Sequence, residues 1–210
     1  MCNRYSNKVA YRQYYEAFMK TPMPLVYPMP DRAPNLEPRA DIRPTDNAPI
    51  LRAGDGGLEL RQIRWGLIPW FHKASIKTWK PLTTNARIET ITKTATYKSA
   101  FAQRRCLVPA DTFYEWTGEK GHKTKWAFKL ANAEWFCFAG IWDKAQTEDG
   151  EIESFSLVTC EASAYVKPYH DRQPIILDHS NYSLWLDTKI ASKAEDLNSR
   201  EIIIVNQTTS

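Results

Sequence analysis

"APILRAGDGGLELRQIRWGLIPW", residues 48–70, decides how the chain is read. Two apolar-rich runs flank Asp55-Gly56-Gly57, and a glycine-rich break between such runs is the signature of a β-hairpin. The stretch predicts strand, turn, strand. Further along, "KWAFKLANAEWFCFAGIW" (125–142) has the same look and predicts a second hairpin turning at Asn132-Ala133. "CLVPADTFYEW" (106–116) reads as a strand interrupted at Pro-Ala-Asp, and "SFSLVTC" (154–160) and "RQPIILD" (172–178) as two more β runs. Helical signals are few. Residues 8–19, "KVAYRQYYEAFM", set Val9, Tyr11, Tyr14, Tyr15 and Phe18 on a broad helical face. "SNYSLWLD" (180–187) predicts a short helix with Ser180 as N-cap.

Eight prolines between Pro22 and Pro49 forbid regular helix and predict an irregular, extended segment. A second loop, 71–84, leads into "TTNARIET" (83–90). No strand–helix alternation and no internal repeat is visible. The expectation is one α+β domain over 1–210, a mostly antiparallel, barrel-like β core with flanking short helices.

Composition narrows the functional classes. The 210 residues are 43% hydrophobic and 25% charged, as in an ordinary globular chain, and the net charge of +4 permits an anionic partner without demanding one. Eight Trp and ten Tyr supply core, and also faces on which bases can stack. The glycines form no G-x-G-x-x-G or Walker pattern. Cysteines 2, 106, 137 and 160 form no C-x-x-C pair and have no zinc-finger histidine spacing, so neither disulfides nor a metal is expected. No cofactor is implied. With no apolar h-region or membrane-length run, the expected setting is cytoplasmic and reducing, nucleoid-associated if the source is bacterial, with a monomeric chain.

The chain opens "MCNRY", and a small second residue permits removal of Met1. Cys2 would then carry a free α-amine beside a thiol. Such an amine titrates near about 7.7–8.0, well below a lysine at about 10.4, and can attack an aldehyde at cellular pH. The resulting imine is captured by the adjacent thiol, closing a five-membered thiazolidine. Helpers are available: Asn85, Arg87 and Glu89 alternate in "NARIET", Glu115 stands between aromatics, and His170 and Arg172 are two apart. Each also has a plain structural reading. Cys2 can be a frayed terminus, Asn85 a turn residue, Glu115 an arginine's partner, and His170-Asp171 a surface turn.

The motifs taken in order are more specific than any one of them. "MCNR" at the terminus is followed by "DNAP" (46–49), "WGLIPW" (65–70), "NARIET" (85–90) and "RRCLVPADTFYEW" (104–116). "FAGIWD" (138–143), "LVTCEA" (157–162) and "HDRQPIIL" (170–177) complete the series. From Cys2 to about Leu186 this resembles the SRAP (SOS response-associated peptidase) family. The resemblance implies an enzyme that crosslinks covalently to abasic sites in single-stranded DNA, Cys2 forming a thiazolidine with the ring-opened sugar. It implies Asn85 as the residue that positions the terminus and sugar, Glu115 as acid/base near the amine, and His170 as the proton donor that opens the ring. Arg4, Arg87 and Arg172 match phosphate-contacting positions, and Pro49, Trp65 and Trp70 match the region that stacks on bases or wedges between strands.

Several positions depart from the family pattern. Asn3 and Thr112 stand where glycine is usual, "IRPTDNAP" replaces "YN-x-AP", the "WGLIPWFHK" loop is short, and only "IIIVNQTTS" represents the C-terminal Val-Asn element. Two rival classes stand beside the crosslinking enzyme: a Cys-dependent (auto)peptidase, and a non-catalytic single-strand-binding module.

Overall fold

The hairpin at 48–70 forms as its pattern predicts, and it is part of a closed β structure. The computed structural model describes residues 2–19, 21–27, 36–119, 121–189 and 202–209. In chain order the elements begin with β1 (Tyr5–Asn7), helix α1 (Tyr11–Phe18), β2 (Leu25–Tyr27), β3 (Arg39–Ile42), β4 (Asn47–Gly54) and β5 (Gly57–Trp65). They continue with β6 (Asn85–Arg87), helix α2 (Ala95–Gln103), β7 (Arg105–Ala110), β8 (Thr112–Thr117), β9 (Thr124–Leu130) and β10 (Phe136–Thr147). The last are β11 (Gly150–Glu161), β12 (Arg172–Pro174), β13 (Ile176–Leu177), helix α3 (Tyr182–Leu186) and β14 (Ile202–Thr209). No helix among the described residues is long and apolar enough to cross a membrane.

Strands β4 and β5 pair antiparallel from Asn47↔Arg64 to Gly54↔Gly57, with Gly56 at φ 81° in the two-residue turn. Antiparallel pairing runs on through β5-β4-β7-β10-β11. A short parallel contact, Ser154↔Arg64 and Phe155↔Trp65, joins β11 back to β5 and closes these five strands into a barrel. A second sheet has the order β14-β9-β8-β1-β3. The fold is therefore α+β, mostly antiparallel, with a barrel and a few short helices.

Two-sided burial explains why several strands read as continuous apolar runs instead of alternating ones. Along β7 every residue is buried. Ile50, Cys106, Val108, Phe138 and Leu157 enter a core shared with Tyr5, Phe113 and Phe128 of the second sheet. Their neighbours Leu51, Leu107, Ala139 and Val158 enter the other core, with Tyr14 and Phe18 of α1 and Trp185 of α3. Packing is close enough that Gly140 admits no side chain. A Cβ there would stand 2.7 Å from Val108 Cγ2 and 2.8 Å from Cys106 Sγ.

The structure revises several expectations. The 125–142 segment is not a hairpin: β9 pairs with β8 and β14, whereas β10 pairs with β7, β11 and β13. Residues 131–135 carry the chain from one sheet to the other, and apolar runs flanking a short polar turn look the same in both cases. Asp111 marks a similar switch between β7 and β8. Ser180 does not cap a helix. It lies within a 3₁₀ turn, His179–Asn181, and α3 begins at Tyr182. Helix α1 starts later than residue 8, at Tyr11, where the Gln13 side chain accepts the Ala10 N–H at 2.9 Å. Helix α2 has no counterpart in the sequence reading, since only Ala100 of its nine residues is fully buried and its apolar face is weak. Of the proline-rich segment, residues 28–35 lie outside the described residues.

Two residues matched to DNA contact are interior. Trp65 is fully buried at the barrel closure, edge-on to Tyr5 (5.1 Å), stacked near Phe155 (6.4 Å), with Nε1 donating to Thr84 O at 2.9 Å. Pro49 is buried in β4 opposite Gln62. Trp65 presents no face to solvent, whereas Pro49 lines a surface pocket with Arg39 and Gln62. Trp65→Ala should therefore lower unfolding free energy by about 3–5 kcal/mol. Trp70→Ala, at an exposed position, should stay within about 0.5 kcal/mol of the parent in the same urea titration.

Candidate active site

The position of Cys2 follows from how β1 is held. Tyr5 and Ser6 pair with Phe113 and Thr112 of β8, and Tyr5 with Ile42 of β3. Asp111, buried at the turn between β7 and β8, staples this strand. Its carboxylate accepts Ser6 Oγ–H (2.8 Å), the Lys8 N–H (2.7 Å) and Thr112 Oγ–H (2.7 Å), while its own N–H donates to Ser6 O at 3.0 Å. Hydrogen bonds to an ionised acceptor are the strong kind. Tyr114 N–H donates to Arg4 O at 3.1 Å. With residues 4–8 so fixed, Cys2 is delivered to the interior, 1% exposed, its thiol donating to Arg4 O at 3.3 Å.

Asn85 meets it from another element. β6 runs parallel to β11 with Asn85 beside Leu157, and Asn85 Nδ2 donates to the Cys2 carbonyl at 2.8 Å. The same amide reaches Thr84 Oγ1 (3.2 Å), whose hydroxyl lies 3.4 Å from Asn3 Oδ1. Asn85 Oδ1 is buried and has no hydrogen-bond partner among the described residues. An amide donor thus grips the cysteine backbone, leaving an acceptor for another donor.

Glu115 faces inward from β8, 3% exposed, opposite Trp126 of β9. Burial pushes its carboxyl up to about 7, against the opposing pull of the positive amino terminus. The Cys2 thiol is raised as well, first by burial and then by the charge of Glu115. The resting pair is a protonated thiol beside a carboxyl able to gain or lose a proton near neutrality.

His170 ends a turn stabilised by His170 N–H to Val166 O (3.0 Å) and by Gln173 Oε1 accepting the Ser163 N–H (2.8 Å). Tyr169 packs on Trp126, 4.5 Å between centroids, and Trp126 is the cross-strand neighbour of Glu115. The histidine turn is thereby seated against the strand pair that carries the acid. His170 Nδ1 accepts the Arg172 N–H at 2.8 Å and lies 3.1 Å from Arg172 O. In the neutral ring the proton is therefore on Nε2, and after protonation Nδ1–H can turn to that carbonyl. Burial, with the amino-terminal charge second, holds the ring below its ordinary value.

The arginines differ. Arg4 lies 3.4 Å from Asp41 and over the Trp116 ring at 5.4 Å. Arg87 is exposed and forms no ion pair within 4 Å of a described residue. Arg172 is only 13% exposed, paired to Glu89. β6 ends at Arg87, so Glu89 lies in the following turn and not on the strand with Asn85; His170 likewise precedes β12. Trp70 is 52% exposed, with its N–H donating to Asp143 Oδ2 at 3.0 Å. Among the described residues no three His, Cys, Asp or Glu side chains gather as metal ligands.

The family model described as SOS response associated peptidase (SRAP) matches residues 1–206. The chain belongs to the SRAP family. It is 33% identical over 158 residues to the abasic site processing protein YoaM of Bacillus subtilis, covering 74% of this chain and 69% of that one. It is 26% identical over 171 residues to the abasic site processing protein YedK of Escherichia coli, covering 80% and 74%. The abasic site processing protein HMCES of Xenopus tropicalis is 31% identical over 181 residues, covering 72% and 54%. Crystal structures of proteins from Bacteroides thetaiotaomicron (TM-score 0.79, 22% identity, 99% of this chain and 91% of that) and Bordetella bronchiseptica (0.77, 24%, 100% and 99%) share the fold.

Within this SRAP chain the sequence reading omits Asp111, although "PAD" at a strand break was the available signal for a buried acid at a sheet corner. It also omits Trp126 and Tyr169, whose contact joins sites about 40 residues apart in sequence and leaves no local trace.

A buried acid with a raised folded pKa makes stability fall as pH rises. The penalty is absent below the ordinary value of 4.5, grows as pH approaches about 7, and is complete above it. Glu115→Gln should thus be more stable than the parent at pH 8, by up to about 3 kcal/mol. The difference should vanish by about pH 4 in parallel urea titrations. A difference independent of pH contradicts the assigned titration.

Proposed function

We propose that this SRAP-family chain processes abasic sites in single-stranded DNA by forming a covalent crosslink through Cys2 once Met1 is removed. The observation that carries the reading is the grip of Asn85 on the Cys2 carbonyl beside buried Glu115. The names of the relatives supply the lesion, and the aminothiol supplies the chemistry.

An abasic deoxyribose is mostly a closed hemiacetal. Protonation of the ring oxygen by the His170 imidazolium, through Nε2–H, breaks the bond to the anomeric carbon, and the hydroxyl proton there passes to the neutral imidazole left behind, yielding the aldehyde. The Cys2 amine adds to that carbon, giving a carbinolamine. Neutral Glu115 donates a proton to its hydroxyl, water leaves, and a protonated imine remains. The thiol then adds to the iminium carbon. Its sulfur forms the new C–S bond as the C=N π pair moves to nitrogen, its proton passes to the Glu115 carboxylate, and the nitrogen keeps its own proton in the closed thiazolidine. One water is lost overall, with no change of oxidation state. A raised thiol suits this order, because the proton is held until the electrophile is in place. Asn85 Oδ1 is available to an amine or sugar hydroxyl donor. Exposed Arg87, with Arg4, supplies phosphate contacts, and Trp70 a stacking face worth about 1–3 kcal/mol per base.

Intact mass after incubation with an abasic-site oligonucleotide tests the reading. The expected result is an adduct of protein plus oligonucleotide minus water, absent in Cys2→Ala and in protein retaining Met1. An adduct forming equally fast with Met1 retained excludes the aminothiol route. Peptide cleavage without an adduct favours a thiol peptidase, and neither product favours a binding module.

A second experiment isolates His170. Its replacement by alanine should slow crosslinking by about 10²–10⁴-fold on the closed sugar and far less on a simple aliphatic aldehyde, which needs no ring opening. Equal impairment on both substrates removes the ring-opening role. Glu115→Ala should slow both.

A further inference from the structure

Residues 68–82 form a compact loop whose root lies just before Asn85. The Leu67 N–H donates to Thr83 O (3.2 Å) and Thr83 Oγ–H donates to Leu67 O (2.7 Å), which closes the two ends on each other. Loops closed in this way pack on their own side chains and are frequently functional. The loop holds three lysines, Lys73, Lys77 and Lys80, and no Asp or Glu. It also carries Trp70, Phe71 and Leu82, three of the five large hydrophobic side chains exposed among the described residues. The rings of Trp70, Phe71 and Trp79 follow one another edge-on, 5.9 and 6.5 Å between centroids. Lys73 Nζ and Lys80 Nζ donate to the carbonyls of Trp70 and Lys77, each at 3.1 Å, so positive charge is fixed beside the rings. Aromatic faces among cations suit a flexible polyanion with stackable bases.

The loop does not hold this shape alone. Two consecutive acids at the β10–β11 turn, Glu148 and Asp149, bind its tip. Asp149 Oδ2 accepts the Ile76 N–H (2.7 Å) and Ser75 Oγ–H (2.9 Å). Glu148 Oε2 accepts the Ser75 N–H at 3.1 Å, and its own N–H donates to Lys73 O at 2.9 Å. Nearer the root, Asp143 Oδ2 of β10 accepts the Trp70 N–H. The Asp149 carboxyl is held below its ordinary value by the Ile76 N–H first, then by the Ser75 hydroxyl, and last by Lys77. On charge alone these carboxylates oppose a nucleic acid. Their bonds go to the loop's backbone and to one serine, which is a task of geometry.

We infer that Glu148 and Asp149 form a clasp that preorganises residues 68–82 as a platform for single-stranded DNA, its lysines meeting phosphates and its exposed rings meeting bases. The inference extends the single-strand binding of the proposed function and rests on that reading for its DNA arms only. Without the clasp the loop is ordered only at the moment of binding, and that ordering cost weakens the complex. Asn85 grips Cys2 from beyond the root, which Leu67 and Thr83 close independently. The clasp therefore governs how tightly DNA is held and not how fast a bound lesion reacts.

Hydrogen exchange, which involves no DNA, reads the clasp itself. Asp149→Ala should speed exchange across residues 70–80 at least about 10-fold. Glu151→Ala, which alters an acid of the same hairpin that pairs with Lys144 instead, should not. Binding of an undamaged single-stranded oligonucleotide is then titrated against salt. Asp149→Asn and Asp149→Ala remove the same charge, but only the asparagine oxygen can still accept the Ile76 N–H. Asp149→Ala should weaken binding at least about 5-fold, comparable to losing one stacked base, with Asp149→Asn between it and the parent. The double variant Lys77→Ala/Lys80→Ala should lower the log–log slope by about 1.4, the equivalent of two phosphate contacts. Crosslinking to an abasic oligonucleotide should show a raised half-saturation in Asp149→Ala and an unchanged saturating rate. Equal effects in the two Asp149 variants, in either direction, overturn the inference, because charge alone then decides. Unchanged exchange in Asp149→Ala, an unchanged slope in the lysine variant, or a slowed saturating rate with half-saturation unchanged overturns it too. If the unaltered protein binds the strand but forms no adduct, the crosslinking reading has failed, and exchange and salt slope still judge the platform.

Discussion

The parallel contact of Ser154 and Phe155 with Arg64 and Trp65 is small, and the rest of the arrangement hangs from it. It closes the barrel, and it fixes the path of β11. The same strand continues past the closure to receive β6 on one side and β12 on the other. Asn85 and the His170 turn therefore have their separation set by a single rigid strand. Fully buried Trp65 fills the space at the closure and ties itself to the chain just before β6 through Thr84 O. Precision in the site comes from a core contact that touches none of its reactive atoms.

Reactivity and stability pull against each other around Cys2. A thiol and a carboxyl sharing the interior each resist ionisation, which is unfavourable for a folded core and, in the proposed chemistry, useful for a proton relay. The Asp111 staple compensates by holding β1 to the β7–β8 corner, and the aromatic contacts of Tyr5 and Phe113 with Phe138 seat β1 and β8 on the barrel. A frayed terminus would expose the thiol and lose the shift at Glu115. Strand pairing, more than any direct contact, keeps the two groups in one environment.

Much of this was legible in the sequence. The 48–70 hairpin announces itself because its turn and its apolar runs are local, and Glu115 between aromatics correctly suggested a buried acid. Cys2, Asn85 and Glu115 do converge. Legibility failed where identical local patterns serve different partners. The 125–142 run has a hairpin's look, but the pairing is decided by strands far away in sequence. Trp65 and Trp70 are five residues apart in one motif, yet one lies at the barrel closure and the other in solvent. Motif order shows that both belong to the pattern, and only the register of β5 against β11 tells them apart. Arg172 is similar, since its partner Glu89 is 83 residues away.

The staple between Ser6 and Asp111 spans 105 residues, and it places the amino end under the control of chain synthesis. While the ribosome is still producing β7 and β8, β1 has only β3 to pair with, and an isolated two-stranded ribbon is marginal in water. At about 5–20 residues per second the interval lasts on the order of 5–20 s. Cys2 is open to solvent during that time and buried afterwards. Such long-range pairing is usually counted as a folding handicap. Here the delay leaves Cys2 outside the core until the second sheet is complete.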